Sequence, residues 1–269
     1  MKATVIIDNT GADEMQGEWG LCIYIEYNGK TILLDSGSSD LYLENAKKLG
    51  CDLEKVDMAV LSHGHYDHGN GFPSFFEKNK KAKLYLRDNC GENCYAVKEG
   101  KLEYIGLPEG LFEKYGDRIV KCEGRVDIDK GISLIPHKGD LKEVGEREKM
   151  FVKVDGELVT DEFCHEQSLV FDTDKGKVIF NSCCHAGADR VIAEIKDEFP
   201  GEKIYALIGG FHLFNKTKEE VKNFANRVKD TGIEYLCTGH CTGDEAYAIL
   251  EEVLKDKVHH FKVGLQFEF

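Results

Sequence analysis

Along the chain, short runs of β-branched and apolar residues alternate with stretches whose apolar positions recur at helical spacing, and that alternation predicts an α/β protein. ATVIID (3–8), LCIYIEY (21–27) and KTILLD (30–35) read as strands, and Asn28-Gly29 between the last two is a short hairpin signal because both residues tolerate positive φ. SSDLYLENAKKLG (38–50) reads as a helix, with serine and aspartate at its start and Gly50 as its stop. VDMAVLS (56–62) follows as a buried strand. The second half repeats the scheme. SLVFDT (168–173) and KVIFNS (177–182) flank the turn Asp174-Lys175-Gly176; then come helix ADRVIAEIKDEF, strand KIYALIGG (203–210), a helix from near Lys216 to Gly232, strand IEYLCTG (233–239) and helix DEAYAILEEVLKD. Between the halves, residues 83–166 hold short runs such as KLYLR and GISLIP among glycine-broken loops, and substrate selection is expected there.

The polar residues that interrupt this pattern fall at strand ends. LSHGHYDHGNG (61–71) sets His63, His65, Asp67 and His68 directly after an apolar run. These residue types form strands and helices weakly, so folding alone gives little reason for the cluster. His185, His212 and His240 each follow a strand and precede a helix. In open α/β sheets the carboxyl ends of strands face a ligand crevice, so the histidines are expected to converge there. Neutral imidazoles with a carboxylate suit zinc, iron or manganese, and their number exceeds what one tetrahedral ion uses. Two adjacent ions, roughly 3.5–4 Å apart, would lower the pKa of bound water towards about 7.

Composition narrows the partners. The 269 residues carry a net charge of −14, which argues against nucleic acid and anionic membranes, since both require a basic face. Only EKNKKAK (77–83) runs against that sign, and it reads as the solvated end of a helix. The amino terminus, MKATVIIDNTGADE, is acidic where a signal peptide is apolar, and no run approaches the roughly 20 residues of a membrane span, so a cytoplasmic location is expected. Reduced thiols follow from that compartment, and the ten cysteines are not expected to form a disulfide framework. Cys90 and Cys94, like Cys237 and Cys241, have a spacing that a separate zinc or iron–sulfur site could use, but neither stretch otherwise resembles a zinc knuckle. Cys22, Cys51, Cys122 and Cys164 read as small apolar residues. His137, His165, His259 and His260 read as structural or exposed, with His165 of CHEQS a candidate for lining the cleft. Asp189 and Arg190 read as helix cap and surface charge.

SHGHYDHGNG resembles the HxHxDH signature of the metallo-β-lactamase superfamily, and ILLDSG resembles its strand ending in an aspartate beside the site. VIIDNT, SCCHAG, GGFHL, TGHCTG and VGLQFEF resemble one branch, the dihydropterin-ribofuranosylaminobenzene phosphate synthase-like proteins, in the right order over nearly the whole chain. The resemblance implies an αββα sandwich of two mixed sheets with outer helices, each sheet drawn from about half the chain. It implies one domain over 1–269 with a variable, substrate-selecting segment at about 83–166. Carried over by position, His63 and His65 belong to a first metal site; Asp67, His68 and His240 belong to a second, and His185 supplies the remaining histidine. Asp35 would stand behind the ligands and orient one by hydrogen bonding. Two departures stand out. Typical members carry a Gly-Asp pair whose aspartate bridges the metals, where this chain has Asn181-Ser182-Cys183-Cys184-His185; a cysteine there favours softer ions, and Cys184 and His212 are candidate metal or cleft residues. Trp19-Gly20 stands where related chains tend to carry His-Gly, which implies a changed substrate contact.

The expected function is a metal-dependent hydrolase in which a metal-bound hydroxide attacks a small anionic ester, phosphoester or lactone, with Asp67 orienting the nucleophile. Zinc, as one or two ions, is the expected cofactor, with iron or manganese as alternatives. Helix amino termini after Gly187, Leu213 and Gly243 would point N–H groups at the cleft and favour an anionic substrate. The alternative implied by the branch is transfer of a dihydropterin to an aminobenzene ribofuranosyl phosphate. A second alternative is an iron-dependent redox protein on the same fold; electron-carrying diiron relatives usually replace a cluster histidine by glutamate, and this chain keeps His65. The partner is expected to be a small molecule, and nothing in the sequence speaks to oligomeric state.

Overall fold

In a computed structural model describing residues 1–12 and 14–269, the central strands of the large sheets are buried on both faces. In Cys22–Tyr27, Ile23 and Ile25 face one core while Cys22 and Tyr24 face another. The same holds for Val178 and Phe180 against Ile179 in Gly176–Phe180. Strands covered on both sides read as continuous apolar runs, which is why the sequence shows runs rather than alternation.

The strands form two seven-stranded sheets. The first runs in the order Gln266–Glu268, Lys2–Ile7, Cys22–Tyr27, Lys30–Leu34, Met58–Val60, Lys83–Arg87, Ile119–Cys122. The second runs Val126–Asp129, Ile132–Pro136, Gln167–Thr173, Gly176–Phe180, Ile204–Ile208, Tyr235–Thr238, Val258–His260. Read in these directions, each begins with antiparallel pairings and ends with parallel ones. Parallel neighbours need crossovers, and helices supply most of them. Leu41–Leu49 and Phe72–Lys78 cover the first sheet, and Ala188–Glu198, Lys218–Asp230 and Asp244–Leu254 cover the second.

Between the sheets lie Val5, Ile25, Val60, Leu134, Phe171, Phe180 and Ile208. Phe75 and Phe76 pack outside the first sheet, and Ile195, Phe224 and Leu250 outside the second. The layers are therefore α, β, β, α, as the resemblance implies. Truncating fully buried Phe180 to alanine would cost about 3–5 kcal/mol.

Local signals behave as their chemistry requires. Asn28 and Gly29 take φ of 49° and 76° in the hairpin, and Gly50 closes the helix Leu41–Leu49 at φ 71° with its N–H on the Ala46 and Lys47 carbonyls. The helix expected from Lys216 starts at Lys218, because the Thr217 side chain and Glu220 form a capping box.

Two features differ from a simple division into halves. The carboxyl-terminal strand Gln266–Glu268 crosses back to pair with Lys2–Thr4 in the first sheet. Residues 83–166 do not stay together: some complete both large sheets, and only Cys94–Lys98, Lys101–Tyr104, Met150–Val154 and Glu157–Thr160 form a small antiparallel sheet of their own. Its buried residues Cys94, Ala96 and Ile105 pack with Tyr66, Met150 and Val152, which sets the small sheet over the histidine motif. Among the described residues no helix is long and apolar enough to cross a membrane, and all ten cysteines are free.

Candidate metal centre

The strand ends that the sequence marks with histidine meet at one edge of the sandwich. Asp35, Cys184, His212 and His240 turn the chain there with φ of 59°, 46°, 49° and 48°. Non-glycine residues hold this conformation only where their surroundings enforce it, and such residues concentrate at functional sites. The loops are packed too tightly for side chains between them: a Cβ on Gly209 would lie 1.6 Å from the Asn181 carbonyl, and one on Gly210 would lie 2.5 Å from Cys241 Sγ.

The imidazole of His63 lies 4.5 Å from that of His65, 4.3 Å from His68 and 5.0 Å from His185, by ring centroids, and His68 lies 4.9 Å from His240. His63, His185 and Cys183 bring one ligand atom each within 4.8 Å of one another, and His68, His240 and Cys183 do the same. Cys183 is thus common to both sets. Its Sγ is 3.3 Å from His68 Nε2 and 3.5 Å from Cys241 Sγ. Asp67 Oδ2 reaches to 3.4 Å from His240 Nε2 and 3.7 Å from His68 Nε2.

Each ring is aimed by what holds its other nitrogen. His68 Nδ1 is 2.7 Å from Asp35 Oδ2, His63 Nδ1 is 2.9 Å from Ser62 Oγ, and His240 Nδ1 is 3.1 Å from Asn9 Oδ1. Asp35, fully buried, also accepts the Ser62 N–H and hydroxyl at 2.8 Å each, so one carboxylate braces two of the rings. His185 is braced differently: its backbone N–H donates to Glu166 Oε1 at 3.0 Å and its ring stacks on Phe163 at 4.3 Å. Burial raises Glu166 above the usual carboxylate range.

The Nε2 atoms of His63, His65, His185 and His240 are buried without a hydrogen-bond partner among the described residues. Each unsatisfied buried polar group costs about 1–3 kcal/mol, so ring nitrogens gathered in one space without hydrogen-bond partners need an explanation. Burial, reinforced by crowding with other imidazoles, pushes His63 and His185 well below the usual histidine range, and burial brings His65 to about 3. These rings are neutral at pH 7, the state that binds metal. Burial would raise Asp67, but His68 and His240 outweigh it and hold the carboxyl below its usual range. Burial would lower His240, but Cys241 and Asp67 beside it lift it to about 9. Imidazoles, a carboxylate and a thiol converging on one space fit a borderline-soft divalent cation.

His65 sits between two groups. Its ring is 5.2 Å from His185 and 5.5 Å from His165 by centroids, and its ligand atom falls within 4.8 Å of Cys94, Asp161 and His165. That rear group is satisfied internally. The Gly64 N–H donates to His165 Nδ1 at 3.1 Å, which keeps the ring proton on Nε2, 3.0 Å from Asp161 Oδ2 and 3.9 Å from Cys94 Sγ.

The remaining candidates divide. Cys184 enters neither ligand set: its Sγ faces the Asn181 carbonyl at 3.8 Å and it packs in the helix-covered core. Neighbouring Cys183 is the thiol among the imidazoles, and the SCCHAG motif offered no way to choose between them. Cys241, read from the sequence only as one of a spaced pair, lies with His212 and Cys183. Asn9 and Ser62 escaped notice because short polar residues beside a strand look like turn formers. His212 lies 4.5 Å from His185 by centroids, with both ring nitrogens unpartnered among the described residues. Of the three helix amino termini expected to face an anion, the one after Leu213 is consumed by its own capping box, while those at Gly187 and Gly243 have no side-chain cap.

Above the cluster opens a cavity of about 300 Å³, floored by Asp67, Cys183, His185 and His240 and walled by Trp19, Tyr66 and Phe214. The small sheet contributes Ala96, Lys98 and Met150 to the same wall.

Comparison with known proteins agrees with this geometry. The chain is 29% identical over 258 residues to the 7,8-dihydropterin-6-methyl-4-(beta-D-ribofuranosyl)-aminobenzene-5'-phosphate synthase of Methanocaldococcus jannaschii, covering 92% of this chain and 88% of that one. It superposes on a crystal structure described as a metal-dependent hydrolase of the beta-lactamase superfamily with a TM-score of 0.83 and 26% identity, over 100% of this chain and 99% of that one. The family model of the metallo-beta-lactamase superfamily matches residues 20–240, and with that the chain belongs to this superfamily.

Proposed function

We propose that this protein is a metal-dependent hydrolase of a small anionic ester, phosphoester or lactone, with zinc as its first-choice ion. The observation that carries the reading is the convergence of buried, unpartnered imidazole nitrogens around Cys183 at the floor of the cavity. In this reading His63, His65 and His185 would hold one ion and Asp67, His68 and His240 a second, with Cys183 within reach of both groups. Ions bound there would acidify water towards a pKa of about 7 and would neutralise charge developing on the substrate.

The chain's own residues do the rest. Asp67, ionised and 3.4 Å from His240 Nε2, orients the attacking water, whose proton is lost to solvent. Asp35, Ser62 and Asn9 fix the ring orientations, so little reorganisation is needed as the bond to the leaving oxygen breaks. His212, at the cavity wall, donates the proton that the leaving oxygen takes up. Lys98 stands at the cavity with no ion-pair partner among the described residues and receives the substrate's anionic group. The small sheet carrying Lys98 and Met150 is the part of residues 83–166 that selects substrate.

The test is elemental analysis of protein purified without chelator or added metal, alongside turnover of a panel of phosphoesters and lactones, repeated with His63→Ala. Metal and turnover should be lost together; turnover that survives without metal would sink the reading.

A second reading, transfer of a dihydropterin, is favoured by the aromatic wall. Trp19 meets Phe214 edge-to-face at 5.3 Å and lies 5.3 Å from the His240 ring, surroundings suited to a flat ring system. The similarity to the archaeal synthase supports it as well. Purified protein supplied with a dihydropterin and an aminobenzene ribofuranosyl phosphate decides between the two: a coupled product means transfer.

A further inference from the structure

We infer that Cys183 and Cys241 form an oxidisable dithiol, a modification site that closes to a disulfide when the centre holds no metal and thereby blocks metal uptake until it is reduced. The inference rests on the proposed metal centre only for its consequence, not for the chemistry of the pair.

The two sulfurs are 3.5 Å apart, in van der Waals contact, and the Cys241 thiol also lies 3.9 Å from the Cys183 carbonyl. A disulfide bond is about 2.05 Å long, so closure asks the sulfurs to approach by about 1.5 Å. Both cysteines line the 300 Å³ cavity, through which a small oxidant reaches them. Every other cysteine lacks one of these conditions. Cys184 faces a backbone carbonyl in the core. Cys90 and Cys94 lie behind Gly64, near the position its Cβ would occupy, and line no part of this cavity.

The chemistry balances with a peroxide as oxidant. One sulfur attacks a peroxide oxygen, breaking the O–O bond and releasing water as a sulfenic acid forms; the second sulfur then attacks the first, forming the S–S bond and releasing another water. Two thiols lose two electrons and two protons, and one hydrogen peroxide becomes two waters. The cost to the centre follows from position: among the described residues Cys183 is the one residue shared by these two ligand sets, and a disulfide sulfur no longer serves as a thiolate ligand. Bound metal should protect the pair by engaging that sulfur.

The experiment uses the full chain, stripped of metal or loaded with zinc, exposed to one equivalent of hydrogen peroxide. In the stripped protein the intact mass should fall by two hydrogens, two titratable thiols should vanish, and peptide mapping should join Cys183 to Cys241. Zinc uptake should then be lost, and dithiothreitol should restore thiols and uptake together. Zinc-loaded protein should keep its thiols. Cys241→Ser should abolish the link, while Cys90→Ser should leave it intact. Mapping that finds both thiols unlinked, or joined to other cysteines, overturns the inference. So does equal oxidation with and without zinc. A linked pair that still takes up zinc normally overturns the blocking role, and with it the assignment of Cys183 as a shared ligand.

Discussion

Two groups of buried histidines lie back to back in this molecule, with His65 between them, and their residue types are nearly the same. In the forward group, His63, His185 and His240 carry Nε2 atoms without partners, and an outer hydrogen bond fixes the far nitrogen of His63 and of His240. In the rear group, His165 has both nitrogens engaged, one by the Gly64 N–H and the other by Asp161 and Cys94. His137, elsewhere in the second half, is satisfied in the same way by Glu194 at 2.7 Å and Ser168 at 2.9 Å. A buried histidine is therefore not informative by itself. What sets the forward group apart from His165 and His137 is that His63, His185 and His240 each keep Nε2 without a hydrogen-bond partner among the described residues.

That contrast can be broken most directly by removing one ring from each group. His63→Ala should lose metal, with affinity falling by more than the roughly 10–100-fold expected for an outer partner. His165→Ala should leave metal content unchanged but destabilise the protein by about 3–5 kcal/mol, since it strands the buried Asp161 carboxylate; metal analysis and thermal melts on both variants separate the two effects. If His165→Ala empties the centre as His63→Ala does, the distinction between the groups fails.

Acid should expose the forward group next. His65 is held to about 3 in the folded protein, whereas in the unfolded chain it titrates near about 6.5. Between those values the unfolded state binds the extra proton, so stability rises with pH through this window. Metal-free protein should be fully stable with respect to this group above about pH 6.5 and should lose stability as the pH falls towards 3. A melting temperature unchanged between neutral and mildly acidic buffer would contradict the burial of a neutral ring.

Smaller effects test the supporting residues. Asp35→Ala should cut metal affinity about 10–100-fold by freeing His68 and Ser62, measured by competition with a chelating dye. Smallest of all, Cys184→Ala should leave metal binding unaltered and cost only about 1 kcal/mol, because its thiol faces the core; the same change at Cys183 should weaken binding of both ions.

Much of this is legible in the sequence. Apolar runs at strand length, Asn28-Gly29 and Gly50 gave the elements because each acts over a few residues of backbone. The motif at 61–71 advertised a cluster because histidine and aspartate have no reason to crowd a strand end. The small sheet escaped, since its paired strands Cys94–Lys98 and Met150–Val154 come from stretches far apart in the chain. The choice between Cys183 and Cys184 escaped for a more local reason: the left-handed turn at Cys184, φ 46°, sends neighbouring side chains in different directions, and no composition or spacing records it.

By itself, then, the sequence determined which residues could carry chemistry and that they would meet, since strand ends in such sheets share one edge. Only the tertiary structure decided which nitrogens and which sulfur face the shared space. That choice depends on hydrogen bonds such as those of Asp35, Asn9 and Gly64, made by groups that the fold alone brings within reach.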